Sequence, residues 1–147
     1  MKIKVAWIGK TKDSAITALS EEYLKRISRY CPVEASPLRD EADLLSKFAG
    51  TKSASKSTLV LMDSRGKEFT SEEFAEFLGN YQDRNPLPVV FAIGGAEGFR
   101  RETRSAAQHV ISLGRITLPH ELARVVLLEQ IYRAFTILKG HPYHSGH

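Results

Sequence analysis

The sequence lacks the features that mark exported, membrane-bound or metal-rich proteins. Cys31 is the only cysteine, so no intrachain disulfide and no cysteine-rich zinc site can form, and a reducing compartment is expected. The apolar patch at residues 3–9 contains Lys4 and is too short for a signal sequence, and no later apolar run has the length of a membrane span. We therefore expect a cytoplasmic protein with neither a membrane nor a metal partner.

The sequence also has no linker rich in proline, glycine and serine, no internal repeat and no block of like charges. Its hydrophobic fraction of 42% and charged fraction of 26% are typical of a globular chain. A chain of 147 residues has the size of an ordinary single domain. We therefore expect residues 1–147 to form one domain around one core.

The charge balance is mildly basic. The formal net charge is +4 and the isoelectric point is near 9.3, which favours polyanionic partners such as nucleic acid. Two basic trios have spacings that place each on one helix face: Lys25, Arg26 and Arg29, and Arg100, Arg101 and Arg104. Solvated helix faces explain these trios as well as phosphate contacts do.

Short strand-like segments alternate with helical patterns along the whole chain. The predicted strands are Ile3–Ile8, Val33–Ser36, Leu59–Met62, Val89–Ile93 and Val110–Leu113. The predicted helices are Ser14–Tyr30, Glu41–Ala49, Ser71–Tyr81, Arg101–Gln108 and Glu121–Lys139. Most of these strands are apolar on both faces, which is typical of a parallel sheet covered by helices on both sides. The pattern predicts an α/β fold with ligands bound at the carboxyl ends of the strands.

The start of the third helix has a clear local signal. Thr70 precedes the helical pattern and Glu73 follows three residues later, which is the spacing of a capping box. We therefore predict that Thr70 is the N-cap of this helix.

Two polar loops follow predicted strands. Asp63-Ser64-Arg65-Gly66-Lys67 is short and polar, and we interpret it as a plain turn. Gly94-Gly95-Ala96-Glu97-Gly98 lies between a strand and a helix, where glycines let a ligand approach the backbone. Its spacing matches neither a dinucleotide fingerprint nor a Walker A motif, so on spacing alone a structural turn is the better interpretation and a ligand loop the alternative.

The third loop, Gly114-Arg115-Ile116-Thr117-Leu118-Pro119, is unusually apolar. Surface loops expose their backbone to water, so Ile116 and Leu118 indicate that this loop packs against something. The helix behind it is apolar on nearly all sides, which predicts burial on nearly all sides and favours a subunit interface as a second partner. Within it, Glu129 and Arg133 are spaced for an i,i+4 ion pair.

Three segments together resemble the SPOUT-class RNA methyltransferases, in particular the RlmH family of small ribosomal RNA methyltransferases. They are Leu59-Val60-Leu61-Met62-Asp63 with Gly66-Lys67; Ile93 to Gly98; and Ile116-Thr117-Leu118-Pro119-His120 with Tyr132-Arg133-Ala134 and His141-Pro142-Tyr143-His144. The resemblance covers essentially the whole chain. It implies a three-layer SPOUT fold with a C-terminal trefoil knot, S-adenosylmethionine as the methyl donor, and a homodimer. Knots are so rare that periodicity would not have predicted one.

The resemblance also implies which residues form the site. The donor pocket would contain Met62, Gly95 and the loop Gly114, Arg115, Ile116, Thr117, Leu118 and Pro119. The implied reaction is methylation of N3 of a pseudouridine in large-subunit (23S) ribosomal RNA on the assembled ribosome. Among side chains of suitable chemistry, His144 would accept the imide proton, Tyr143 would stack on or hydrogen-bond the base, and Arg133 would stabilise developing negative charge or hold a phosphate.

Other interpretations stay open at this stage. His141, His144 and His147 fit a metal-binding tail, but no carboxylate or cysteine lies nearby in sequence. A non-catalytic RNA- or ribosome-binding protein, or a methyltransferase acting on another RNA, would have the same basic surface. The chain also departs from the family pattern at Ser145, which stands where an arginine is usual.

Overall fold

The structure is a computed structural model that describes residues 1–49 and 56–144, apart from the side chain of His144. Ser145, Gly146 and His147 lie outside the described residues. Within these, the strands are β1 (Ile3–Ile8), β2 (Val33–Leu38), β3 (Thr58–Glu68), β4 (Val89–Ile93) and β5 (His109–Ser112). The helices are α1 (Ser14–Ser28), α2 (Glu41–Phe48), α3 (Ser71–Arg84), α4 (Arg101–Ala106) and α5 (His120–Lys139), and a 3-10 turn follows at Pro142–His144.

The strands form one parallel sheet in the order β2-β1-β4-β3-β5. The predicted α/β alternation is confirmed, and β1 and β4 have the predicted bounds. The other elements differ at their ends, where local periodicity is least informative. The largest difference is at β3, which continues six residues past the predicted end at Met62.

Helices cover both faces of the sheet. On one face, α1, α3 and α5 pack over alternate residues of the central strands, among them Val5, Val60 and Phe91. On the other face, Leu44 and Phe48 of α2 join Leu61, Val90, Ala92 and Phe99 in a second cluster. The three-layer arrangement is thus confirmed, whereas the trefoil knot stays a prediction.

The last helix lies between α1 and α3. Its residues Leu127, Leu128, Ile131, Ala134 and Phe135 are almost completely buried, as its apolar composition predicts. Leu122 and Leu138 are not, with exposures of 46% and 40%. The helix is therefore buried on most of its circumference, with Leu122 and Leu138 partly exposed near its two ends.

Local hydrogen bonds fix the start of α3. Thr70 accepts a hydrogen bond from the Glu73 N–H at 3.1 Å, and the Glu73 carboxylate accepts one from the Thr70 N–H at 2.8 Å. The predicted capping box is confirmed. It starts α3 immediately after β3, which limits how far the strand can run.

The prediction of a plain turn at Asp63–Lys67 is wrong. Strand β3 continues through this segment, but Ile111 of β5 pairs with both Met62 and Lys67, so the residues between them bulge out of the ladder. A Cβ on Gly66 would lie 2.5 Å from the Val110 backbone, so only glycine fits there. The bulge carries Asp63, Ser64 and Arg65 to the carboxyl edge of the sheet.

A buried carboxylate closes this bulge. Asp63 accepts hydrogen bonds from Arg65 Nε at 2.9 Å, Arg65 Nη2 at 2.7 Å and the Phe99 N–H at 3.1 Å. Arg65 Nη2 also donates to the Phe99 carbonyl at 2.8 Å. These contacts, which we call the Asp63 clamp, join the end of β3 to the loop after β4. The Arg65 guanidinium and the backbone donors hold the pKa of Asp63 well below its ordinary range.

We predict that Asp63→Asn lowers the free energy of unfolding by about 2 kcal/mol near neutral pH, because it weakens the bidentate pair and leaves Arg65 without its counter-charge. Folding lowers the pKa of Asp63, so its contribution is complete above the ordinary aspartate pKa of about 4 and is lost as the pH falls below that value. The stability difference between wild type and variant should therefore shrink by about 1 kcal/mol between about pH 7 and about pH 3. Urea unfolding at the two pH values measures it.

Asp83→Asn is the matched control. Asp83 is exposed on α3, and its substitution should change stability by less than about 0.5 kcal/mol at neutral pH. An Asp63→Asn effect of the same size at both pH values would contradict the role of the clamp.

Candidate functional site

A cavity of about 210 Å³ opens at the carboxyl ends of β3, β4 and β5. Three loops line it: the bulge from Asp63, the loop after β4, and the loop after β5. His120 and Ala123 of the first turn of α5 complete the wall. This is where ligands bind in open α/β sheets, and the sequence-based expectation of a ligand at this edge agrees with the geometry.

Two glycines present bare backbone to the cavity. Gly95 and Gly114 both line it, and a Cβ built on either would meet no atom of the chain within 4 Å. Gly114 also has a φ of +132°, which side-chain-bearing residues rarely adopt. Both positions therefore leave room for a flat ligand against the peptide planes.

Six of the eight predicted donor-binding residues line this one cavity: Met62, Gly95, Gly114, Ile116, Thr117 and Leu118. Arg115 and Pro119 belong to the same loop but do not line it. Their roles toward a donor stay predictions. What the structure adds is that segments separated by more than fifty positions in sequence converge on one volume.

The apolar loop after β5 is less packed than its composition predicts. Leu118 is half-buried, but Ile116 is 82% exposed. The packing partner that the sequence indicates for Ile116 is therefore not supplied by the described residues of its own chain. Because the exposed Ile116 side chain lines the cavity mouth, a ligand or a second chain is what would cover it.

Sequence reasoning missed three charged residues of the cavity. Asp63, Arg65 and Glu97 line it. The sequence pattern predicts only a plain turn at residues 63–67 and gives Glu97 no role. Their position directly after central strands was the available signal, since the carboxyl ends of parallel strands meet at one edge. Their mutual contacts depend on the strand order, which local patterns do not contain.

The predicted catalytic residues lie elsewhere. Arg133 forms the predicted ion pair with Glu129, with Nε 2.9 Å from Oε1. The Tyr143 hydroxyl donates to Glu129 Oε2 at 3.4 Å, and the Arg133 guanidinium lies 5.2 Å from the centre of the Tyr143 ring. Tyr143 also packs edge-on against Tyr132 at 4.7 Å between ring centres. The tail thus folds back on the middle of α5.

A hydrogen bond between the Tyr30 hydroxyl and His141 Nδ1 holds the start of this tail against the end of α1. The Tyr30 ring in turn stacks on Phe135, with ring centres 5.2 Å apart. His144 ends the 3-10 turn that follows, and its side chain lies outside what the structure describes. The tail segment is therefore anchored to both α1 and α5.

The protonation states of Tyr143 and Arg133 limit the roles that these two side chains can have. Burial, together with the neighbouring Tyr23 and Glu129, raises the pKa of Tyr143 well above its ordinary value. Hydrogen bonding to Glu129 raises the pKa of Arg133. Tyr143 therefore stays a neutral phenol and Arg133 a cation at physiological pH. Of the three predicted catalytic side chains, only His144 has the chemistry of a proton acceptor near neutral pH.

The cavity and the contacts of the tail lie at different places along α5. Ala123 lines the cavity, and Arg133 is ten residues further along the helix, which places it about 15 Å away along the helix axis. The structure thus brings most of the predicted donor residues together, and it brings Arg133 and Tyr143 together. Neither Arg133 nor Tyr143 lines the cavity of its own chain.

The described part of the chain contains neither a membrane-spanning helix nor a group of side chains placed to bind a metal ion. No helix there has the length and hydropathy needed to cross a membrane. No group of three or more His, Cys, Asp or Glu residues there is placed to hold a metal ion. The His144 side chain and His147, on which a metal-binding tail would depend, lie outside that part.

The chain matches a family model and named relatives along its length. The model described as "Predicted SPOUT methyltransferase" matches residues 1–144. A ribosomal RNA large subunit methyltransferase H from Koribacter versatilis is 54% identical over 147 residues, covering all of both chains. The protein of the same name from Geobacter metallireducens is 42% identical over 154 residues, covering 99% of this chain and 100% of that one.

Solved structures agree with this fold. A probable methylase family protein from Haemophilus influenzae superposes with a TM-score of 0.61 at 11% identity, over 98% of this chain and 70% of that one. The SpoU methyltransferase AviRb from Streptomyces viridochromogenes gives a TM-score of 0.53 at 13% identity, over 95% of this chain and 61% of that one. At such low identities these structures support the fold alone. On the family model and the full-length relatives, the chain belongs to the SPOUT methyltransferase family.

Proposed function

We propose that this protein is an S-adenosylmethionine-dependent methyltransferase that methylates N3 of a pseudouridine in 23S ribosomal RNA on the assembled ribosome. The observation that carries the proposal is the glycine-lined cavity at the carboxyl ends of β3, β4 and β5, in a chain similar over its full length to a large subunit ribosomal RNA methyltransferase. Since such a substrate is cytoplasmic, the proposal includes a cytoplasmic location for the protein.

The cavity fits a nucleoside donor. The bare backbone at Gly95 and Gly114 leaves room for ribose and adenine, and Met62, Ile116 and Leu118 supply apolar contacts for a base. Bound there, S-adenosylmethionine would supply an electrophilic methyl group on its sulfonium. The chain's own task is then to orient the acceptor base and to take up its N3 proton.

The tail residues divide this task. We assign proton uptake to His144. Tyr143, held as a neutral phenol, would donate a hydrogen bond to the base or stack on it. Arg133 would position the tail rather than act as a free cation, because Glu129 already pairs with it at 2.9 Å and neutralises much of its charge.

The separation of cavity and tail supports a homodimer in which one protomer's tail serves its partner's cavity. Arg133 lies about 15 Å along α5 from Ala123 in the cavity wall of its own chain, and a partner's tail would bring these side chains to the donor. The neighbouring helices α1 and α5 expose Leu19 at 45%, Leu122 at 46% and Leu138 at 40%. Exposed apolar side chains suit a contact between subunits.

The direct test of the reaction is mass spectrometry of ribosomal RNA from cells with and without the gene. The proposal expects one methylated pseudouridine in 23S RNA to disappear when the gene is deleted and to return when it is restored. Donor binding without any change in RNA methylation would instead favour a non-catalytic RNA-binding protein. A lost methyl group in another RNA would favour a different substrate.

We predict that His144→Ala lowers labelled-methyl transfer to ribosomes from the deletion strain by roughly 100-fold, the usual contribution of a general base. The affinity for S-adenosylmethionine, measured by calorimetry, should stay within about twofold because the donor cavity is unchanged. His109→Gln, at an exposed histidine on β5, is the control and should transfer at the wild-type rate. Unchanged transfer by His144→Ala would remove its assigned role.

Mixing two inactive variants tests the shared site. Gly114→Val should block donor binding, because valine rarely adopts a φ of +132° and its side chain would fill the space that the bare backbone leaves for a ligand, while His144→Ala removes the tail's base. If the tail acts on the partner's cavity, half of the randomly mixed dimers have one intact site, and activity should recover to about one quarter of wild type.

If each tail served its own cavity, no mixed dimer would contain an intact site and the mixture would stay inactive. Gel filtration on the same samples reports the oligomeric state. Elution as a monomer would contradict the dimer, whatever the activity.

A further inference from the structure

Arg65 has unused hydrogen-bonding capacity in the cavity. Its guanidinium has five N–H groups. The Nε–H and the two on Nη2 are directed to the Asp63 carboxylate and the Phe99 carbonyl. The two N–H groups on Nη1 have no partner among the described residues. The side chain lines the cavity and is 48% exposed, so this edge of the guanidinium is available to a ligand.

The Asp63 clamp makes Arg65 a fixed cation rather than a mobile one. The pairing with Asp63 is bidentate, at 2.9 and 2.7 Å, and Asp63 itself is almost completely buried. Such a pair sets both the position and the plane of the guanidinium. An anionic group that reaches it therefore meets a preorganised donor edge, and little side-chain entropy is lost on binding.

The other charges of the cavity wall indicate which anion fits. Arg65 is the only lysine or arginine lining the cavity in the described part of the chain, and Glu97, which also lines it, forms no ion pair there. One cation and one free carboxylate complement a zwitterion, which has an anionic and a cationic end. A phosphate group has no cationic end and would be repelled by Glu97.

We infer that Arg65 binds the carboxylate of the donor's amino-acid group, with Glu97 facing its ammonium group. The inference rests on the proposed function, because it takes S-adenosylmethionine as the donor. It assigns to the bulge of β3 a binding role as well as a structural one. Arg65 is a donor-binding residue in this assignment, and Asp63 is the positioning residue that holds it.

The experiment compares S-adenosylmethionine with its decarboxylated form, which lacks only the carboxylate. Calorimetry on the full-length wild type should show about tenfold weaker binding of the decarboxylated form, the effect of one half-exposed charge-assisted contact. Arg65→Gln should reduce this preference to less than about twofold, and Arg65→Lys, which keeps the charge but not the fork, should be intermediate. The control Arg101→Gln removes an exposed arginine of α4 that lies outside the cavity and should keep the full preference.

The contrary outcomes are distinct. Equal loss of both ligands in Arg65→Gln would mean that Arg65 acts only through the loop it clamps, and would overturn the inference. Unchanged binding of both ligands with weaker binding of ribosomal RNA would assign Arg65 to a phosphate, and would also overturn it. Equal affinity of the wild type for both ligands overturns it without any variant, whereas no binding of either ligand by the wild type would overturn the proposed function itself.

Discussion

A buried carboxylate at the end of a central strand determines the shape of the site. Asp63 lies where β3 leaves its regular pairing with β5, and it receives donors from its own strand and from the loop after β4. Burying a charge is costly unless it is paired and hydrogen-bonded, so Asp63 forces Arg65 and the Phe99 backbone into one arrangement. The loop after β4 is thereby held beside the bulge, and the cavity lies between them. The glycines have no side chains that could hold the loops in place. Because the clamp holds these loops, the glycines can expose their backbone to a ligand.

The second constraint is the length of α5. A helix of 20 residues spans about 30 Å; the cavity lies at its first turn, and the tail that follows its last turn folds back onto Glu129 and Arg133. The buried Arg124 side chain holds the first turns of the helix in place. Arg124 is 1% exposed, and its guanidinium lies 4.9 Å from the centre of the Trp7 ring and donates a hydrogen bond to the Thr11 hydroxyl at 2.6 Å. Glu121 accepts from the Lys12 N–H at 2.7 Å. These contacts hold the helix at its start, and the tail lies beside its middle, so the proposed homodimer would let a partner's tail reach the cavity.

Sequence patterns predicted much of this architecture. Alternating apolar segments located all five strands and helices of the described chain, and Thr70 with Glu73 located the start of α3. The errors occur where a residue's environment depends on distant segments. Asp63–Lys67 has the composition of a turn, and only its pairing with β5 and Phe99 makes it a bulge. The composition of the loop indicates that Ile116 has a packing partner, but it does not reveal that this side chain is 82% exposed at the cavity. The resemblance to the SPOUT methyltransferases located six residues of the cavity wall, but not Arg65 or Glu97, which periodicity and motif spacing left without a role.

The sequence by itself determined the order of the elements, the two-sided burial of the sheet, the helix caps and the Glu129–Arg133 pair. These depend on neighbours within a few positions or on apolar periodicity, and both are local properties of the chain. The tertiary structure alone decided which loops share a cavity, which carboxylate is buried and where along α5 the tail packs. Those properties follow from the strand order β2-β1-β4-β3-β5, which places Asp63 beside Phe99 across 36 positions of sequence. No local pattern contains that order, because it is set by how the whole set of apolar faces packs at once.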